Sequence, residues 1–173
     1  MSSLDLPLVR STIASYFDGL ITAGNLPGVA SFSPAPLTID SAGDFVTGNT
    51  NDCGAWLYFP DGNTQLISIG GPTAGVFCYQ LHTTIILGAV STDGDALDAQ
   101  NQIDQAMSSI TAAIITDRNA GNADVIFQWG FGDAGGSQPD ITWNMELPWA
   151  PNLAAVWVFG TINFSTLAVK QLQ

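Results

Sequence analysis

Residues 76–90 read Val76-Phe77-Cys78-Tyr79-Gln80-Leu81-His82-Thr83-Thr84-Ile85-Ile86-Leu87-Gly88-Ala89-Val90, and their period is two. Phe77, Tyr79, Leu81, Ile85 and Leu87 fall on one side of an extended chain, while Cys78, Gln80, His82 and Thr84 fall on the other. The stretch predicts the longest strand, with one side in the core and a wetter side opposite. Its most apolar part, Ile85 to Val90, is too short to span a membrane.

Upstream, Ala55 to Phe59 predicts another strand. Pro60-Asp61-Gly62-Asn63 reads as a turn and Thr64 to Ile69 as the returning arm of a hairpin. Gly70-Gly71-Pro72 then breaks the chain before the long strand. Residues 25–52 carry Pro27, Pro34, Pro36, Gly28, Gly43 and Gly48 with little periodicity, which predicts a long irregular connector. Before it, Val9, Ile13, Phe17, Leu20 and Ile21 share one face of a helix over 8–22, stopped by Gly24 and Asn25.

Downstream, Ile103, Met107, Ile110 and Ile114 make the buried stripe of a second helix over about 95–118, with Leu97 beginning it. Asp93 or Asp95 caps its first turn, and Arg118 complements its carboxyl end. Val125 to Trp129, Ile141 to Leu147 and Ala154 to Val169 have β character, separated by Gly130–Pro139 and Pro148–Asn152. The order is α-β-β-β-α-β-β-β. Strands joined by short turns predict an α+β fold, a mostly antiparallel sheet with two helices packed on one face. No linker divides residues 1–173, so one domain is expected.

Composition narrows the function classes. Hydrophobic residues make up 46% of the 173, but charged ones only 10%, against about a quarter in an average domain. A subunit that buries much of its surface against neighbours needs less charge than a monomer, so an oligomer is expected. The net charge is −12: 15 acids, all aspartate except Glu146, face Arg10, Arg118 and Lys170. Three scattered cations exclude phosphate-neutralising nucleic-acid binding and anionic membrane surfaces. Met1-Ser2-Ser3-Leu4-Asp5 lacks a basic region followed by an apolar run, so no secretory segment and a cytoplasmic compartment are expected. Cys53 and Cys78 sit in no paired motif and read as buried thiols.

The motifs that carry chemistry elsewhere are weak here. Gly130-Phe131-Gly132-Asp133-Ala134-Gly135 spells GxGxxG after a strand, but Gly136-Ser137-Gln138-Pro139 cannot begin the helix that pattern needs. Asp93, Asp95 and Asp98 lack an EF-hand's alternating oxygens and read as helix caps. His82 is the only histidine, which excludes multi-imidazole zinc sites and leaves a Ser-His-Asp relay without a nucleophile elbow. It reads as a surface or interface residue. Glu146 beside Asp140 is the one carboxylate pair to weigh for hydrolysis, and it reads as structural. Trp129, Trp143, Trp149 and Trp157 suit core and subunit interface, or stacking on a sugar. No catalytic residue, metal or cofactor is expected.

The layout resembles the tail terminator proteins of long-tailed, non-contractile bacteriophages. The corresponding stretches are Leu8 to Phe17, the segment around Pro34 and Pro36, Val76 to Leu87, the Asp98-Ala99-Gln100-Asn101-Gln102-Ile103-Asp104 helix through Asp117-Arg118, and Trp129-Gly130-Phe131-Gly132-Asp133. The resemblance implies a virion protein, assembled in the host cytoplasm, that closes into a hexameric ring. The ring would end tail-tube polymerisation and join the tube protein to the head's connector, with DNA as passing cargo and no membrane partner. It makes Asp40, Asp44, Asp52 and Asp133 candidates for an acidic channel, and Gly71, Pro72, His82, Trp143 and Trp149 candidates for interfaces. The competing readings are another neck, tail-completion or tube subunit, a carbohydrate-binding module using the late tryptophans, and an enzyme built on Glu146.

Overall fold

A computed structural model describes residues 4–35, 53–60, 65–69, 76–91, 95–131, 139–146, 149–152 and 155–169. Helix α1 spans Leu6–Thr22. Asp5 caps it by accepting the Leu8 N–H at 3.0 Å, and Pro7 occupies the first turn, where no intrahelical N–H is lost. It ends in a Schellman turn. Gly24 takes φ +71°, its N–H donates to Ile21 O, and the Asn25 N–H reaches Leu20 O at 2.8 Å. Helix α2 spans Ala96–Thr116, with Asp95 Oδ1 accepting the Leu97 N–H at 2.9 Å.

The sheet is organised around two long strands, β4 (Val76–Ser91) and β8 (Ala155–Val169). They pair antiparallel from Cys78 opposite Val169 to Ser91 opposite Val156. On the outer side of β4 run β2 (Cys53–Tyr58) and β3 (Gln65–Ile69). On the outer side of β8 run β5 (Ile126–Trp129), β6 (Ile141–Met145) and β7 (Trp149–Asn152). Strand β1 (Val29–Ser33) lies parallel to β2 and makes the sheet mixed. The fold is α+β, with the helices in the expected places and two short strands, β1 and β7, added to the expected order.

Several expectations need correction. Ala55–Phe59 and Thr64–Ile69 do not form a hairpin. β2 pairs with β4 from Gly54↔Gly88 to Tyr58↔Thr84, and β3 pairs with the same strand in the same direction, from Gln65↔Gln80 to Ile69↔Val76. They are two pieces of one interrupted strand. The antiparallel neighbour that follows β3 in sequence and pairs with it is β4, from Ile69 opposite Val76. The connector expected over 25–52 contains β1, whose burial (Val29 and Phe32 inward) earns a place in the sheet despite flanking prolines; its residues 36–52 lie outside the described residues. Pro148–Asn152, expected as a connection, contains β7.

Both helices share one face. Val9, Ile13 and Phe17 of α1 and Ile103, Met107, Ile110 and Ile114 of α2 join Leu57, Ile85, Leu87, Ile162 and Phe164 in a single core. Phe17 stacks on Phe32 at 4.6 Å between centroids. α2 crosses β8 at Gly160, where a side chain would overlap Met107. Leu97 is 63% exposed, so the stripe begins at Ala99. The helix also ends earlier than expected: Arg118 lies beyond its Asp117 cap, with its guanidinium 4.2 Å over the Phe131 ring.

α2 is about 31 Å long, and its end places Ile114 against Gly130, which donates to Ser165 O at 2.9 Å. Ser165 stands opposite His82. Phe77 lies about 17 Å further along β4, past the end of α2, and is exposed rather than in the core as its parity predicts. Cys78 beside it is buried. The helix-free face carries its own apolar cluster: Trp56, Val90 and Trp157 are buried, with Ile86 and Phe159 against them.

Candidate functional site

Two features stand out, one on each face of the sheet. The first is apolar. Trp143 pairs with Ile162 of the helix-packed core, so it belongs to the helix side of β6, yet it is 68% exposed. Between its indole and the outer flank of α2 runs a groove of about 430 Å³, lined by Asp104, Met107, Ser108, Thr111, Ala112 and Ile115 as well. Ile115 is itself 42% exposed. A tryptophan this open beside an apolar groove is uncommon on the surface of a monomer.

The second feature is polar and is built by the register. β2 leaves β4 after Tyr58↔Thr84, and β3 joins it only at Gln65↔Gln80. On the other side, β5 leaves β8 at Trp129↔Thr166, and β6 joins at Ile141↔Phe164. Both flanking strands are therefore interrupted at the level of the His82–Ser165 pair. The interruption opens a recess of about 400 Å³, into which Pro60 comes from one break and Asp140 from the other. Its remaining polar lining is His82, Thr83, Thr84, Thr142, Asn163 and Ser165.

The recess is internally wired. Thr84 Oγ1 donates to Asn163 Oδ1 at 2.7 Å, Ser165 Oγ donates to Asp140 Oδ2 at 3.1 Å, and Gln80 Nε2 donates to Ser165 Oγ at 3.5 Å. Asp140 is positioned by its own backbone, whose N–H donates to Gly130 O at 2.7 Å, just inside the Phe131–Pro139 bridge. Serine, histidine and aspartate thus meet, but not as a relay. The carboxylate receives the serine hydroxyl directly, and no hydrogen bond joins His82 to either partner among the described residues. A nucleophile–base–acid chain needs the imidazole in between.

The structure divides the sequence candidates. His82 lies in the recess and Trp143 in the groove, on opposite faces. Trp149 falls in β7, opposite Trp157. Asp40, Asp44, Asp52, Gly71, Pro72 and Asp133 lie outside the described residues. Trp129 is core, its Nε1–H donating to the Asp117 carbonyl. Of the capping aspartates, Asp95 is occupied by Leu97 and Asp98 by Gln102 Nε2. No group of three His, Cys, Asp or Glu among the described residues could hold a metal ion. Asp140 and Glu146 sit at opposite ends of β6, about 20 Å apart along the strand, well beyond the separation a glycosidase pair uses.

Asp140, Asn163 and Ser165 were not legible as a group, because only the register of three strands brings them together. The available signal was the polar run shared by His82 and Thr84 on one long strand and Asn163 and Ser165 on the other. No family model and no curated protein sequence matches the chain. No described helix is long and apolar enough to cross a membrane.

Proposed function

We propose that the protein is a virion structural subunit: a tail terminator that closes into a hexameric ring on the end of a phage tail tube. The observation that carries this reading is the open Trp143 beside the α2 groove. A neighbouring copy is its occupant. The groove has one charged lining residue, Asp104, and the chain as a whole has too few charges to coat a free surface well. An edge strand borders the same patch, since β6 pairs only with β8 and leaves its other side without a ladder partner among the described strands. The net charge of −12 suits a ring through which DNA passes without sticking. The layout of helices and strands supports the terminator form through its resemblance to that family.

The test is solution mass by light scattering over a concentration series, with negative-stain imaging, for the native chain and for Trp143→Asp. A discrete ring that never grows into tubes, and that Trp143→Asp reduces to folded monomer, is the expected result. Long tubes would make the protein a tube subunit instead. If the native chain stays monomeric even with purified tail tubes, the ring reading is lost.

A further inference from the structure

The polar recess lies on the helix-free face of the sheet. Along β4 and β8 that face changes character abruptly. Ile86, Gly88 and Val90 on one strand, with Phe159 and Trp157 on the other, form the apolar cluster around Trp56. The next rungs on the same face are Thr84 opposite Asn163 and His82 opposite Ser165. The change coincides with the level at which the named flanking strands on both sides are interrupted.

The chemistry of the lining narrows what fits. No Lys or Arg lines the recess, and a carboxylate does, so phosphate, sulfate and carboxylate ligands would be repelled. One carboxylate without a second acid is too little for a divalent cation, which takes six or more oxygens with compensating charge. A neutral ligand rich in hydroxyls fits better. Asn163 Oδ1 is taken by Thr84, which leaves the amide NH2 as donor. Asp140 Oδ2 is taken by Ser165, which leaves Oδ1 as acceptor. Asp140, bonded to Ser165, and Asn163, opposite Thr142, are diagonal neighbours lining one recess, and a donor and a charged acceptor so placed suit the hydroxyls of a polyol, each of which both gives and receives a hydrogen bond. Thr142 adds a further hydroxyl, while the exposed His82 ring offers a flat face and Pro60 an apolar one for the C–H side of a pyranose.

We infer that this recess is a saccharide-binding site that takes a neutral hexopyranose through Asp140 and Asn163, with His82 and Pro60 against the sugar ring. Its volume, about 400 Å³, holds one ring with room for part of a second. No tryptophan lines the recess, and Trp143 is on the other face. Sugar binding and ring assembly therefore fail or survive separately.

The experiment is saturation-transfer NMR and titration calorimetry on the full chain, with the methyl glycosides of glucose, galactose and mannose and with N-acetylglucosamine. Saturable binding of at least one is expected, with Kd on the order of millimolar for ligands of about 13 to 15 heavy atoms. Asp140→Ala and Asn163→Ala should each weaken it about tenfold or more, the effect of losing one hydrogen bond to a charged or tightly held group. Trp143→Ala should leave it unchanged. Should Asn163→Ala fail to fold, the exposed Asp140 and Thr142, as Asp140→Ala and Thr142→Val, decide the matter. No saturable binding with any of the four probes overturns the assignment. Binding that survives the recess substitutions, or that disappears with Trp143→Ala, overturns it by placing the sugar elsewhere.

Discussion

Gly130 lies directly beneath Ile114, with φ at +72° and no room for a side chain: a Cβ there would overlap Ile114 Cγ2. The first glycine of the GxGxxG spelling is thus a packing residue. It lets the chain turn out of β5 while α2 presses on it from above. Gly24 has nearly the same φ, +71°, but open space around it. The pair separates two costs. Gly24→Ala carries only the left-handed strain, about 1 kcal/mol. Gly130→Ala adds the clash and should lose about 2–4 kcal/mol. Urea denaturation of both variants measures the difference; equal losses would mean that α2 yields easily at Ile114.

Two tryptophans in neighbouring strands make a second contrast. Trp129 is fully buried, edge-on to Tyr16 and Phe164, and donates its indole N–H to the Asp117 carbonyl. Trp129→Ala should lose about 3–5 kcal/mol. Trp143, mostly in solvent, should change monomer stability by no more than about 0.5 kcal/mol when truncated to alanine. A large loss at Trp143 in thermal or urea unfolding would make it a structural residue and remove the main support for an interface there.

How far the sequence led is best seen strand by strand. The α2 stripe from Ile103 to Ile114 and the long strands at 76–90 and 154–169 were legible because their periods persist over many residues. The pairing of β2 and β3 was not. Pro60-Asp61-Gly62-Asn63 has turn chemistry, but turn chemistry does not name the partner strand, and both β2 and β3 pair with β4. β1 was hidden because five residues between Pro27 and Pro34 carry little pattern, and its parallel pairing to β2 is non-local. Leu97 and Phe77 obey the period yet are exposed, since parity says nothing about where the covering element ends. The recess was illegible for the same reason: His82 could be placed on a polar side, but Asp140 reaches it only through the break in the outer strands.

The buried thiols give a pH-dependent prediction. Cys53 and Cys78 are buried and outside any disulfide. Burial pushes the Cys78 thiol up from 9.0 to about 11. The folded chain keeps that proton where the unfolded chain releases it. Its contribution to stability is therefore full below about pH 9, declines as pH rises, and is exhausted above about pH 11. Tyr16 acts in the same sense, raised by burial first and by the Asp117 carboxylate second. Stability from chemical denaturation should fall through this alkaline window, and Cys78→Ala should flatten part of the fall. In the native state at about pH 8, iodoacetamide should alkylate neither cysteine, and in urea it should alkylate both. Native modification of Cys78 at the rate of an open thiol would refute its burial.

Trp56 provides the last test, on the helix-free face. Gly54 and Gly88 stand opposite one another in β2 and β4, and the Trp56 indole occupies the space above both. A Cβ on Gly88 would meet the indole at 3.2 Å and the Phe159 ring at 3.3 Å; one on Gly54 would overlap the indole edge. The glycines and the tryptophan are therefore one packing unit. Gly88→Ala should lose about 1–3 kcal/mol through overpacking, and Trp56→Ala about 3–5 kcal/mol through the cavity it leaves. In the Trp56→Ala background, however, a methyl at position 88 fills space that the indole has vacated, so Gly88→Ala should become neutral or stabilising. The double-mutant cycle should accordingly show a coupling of more than about 1 kcal/mol. Simple additivity would mean that Phe159 alone sets the cost at Gly88, and that the indole can be lost without relaxing its neighbour.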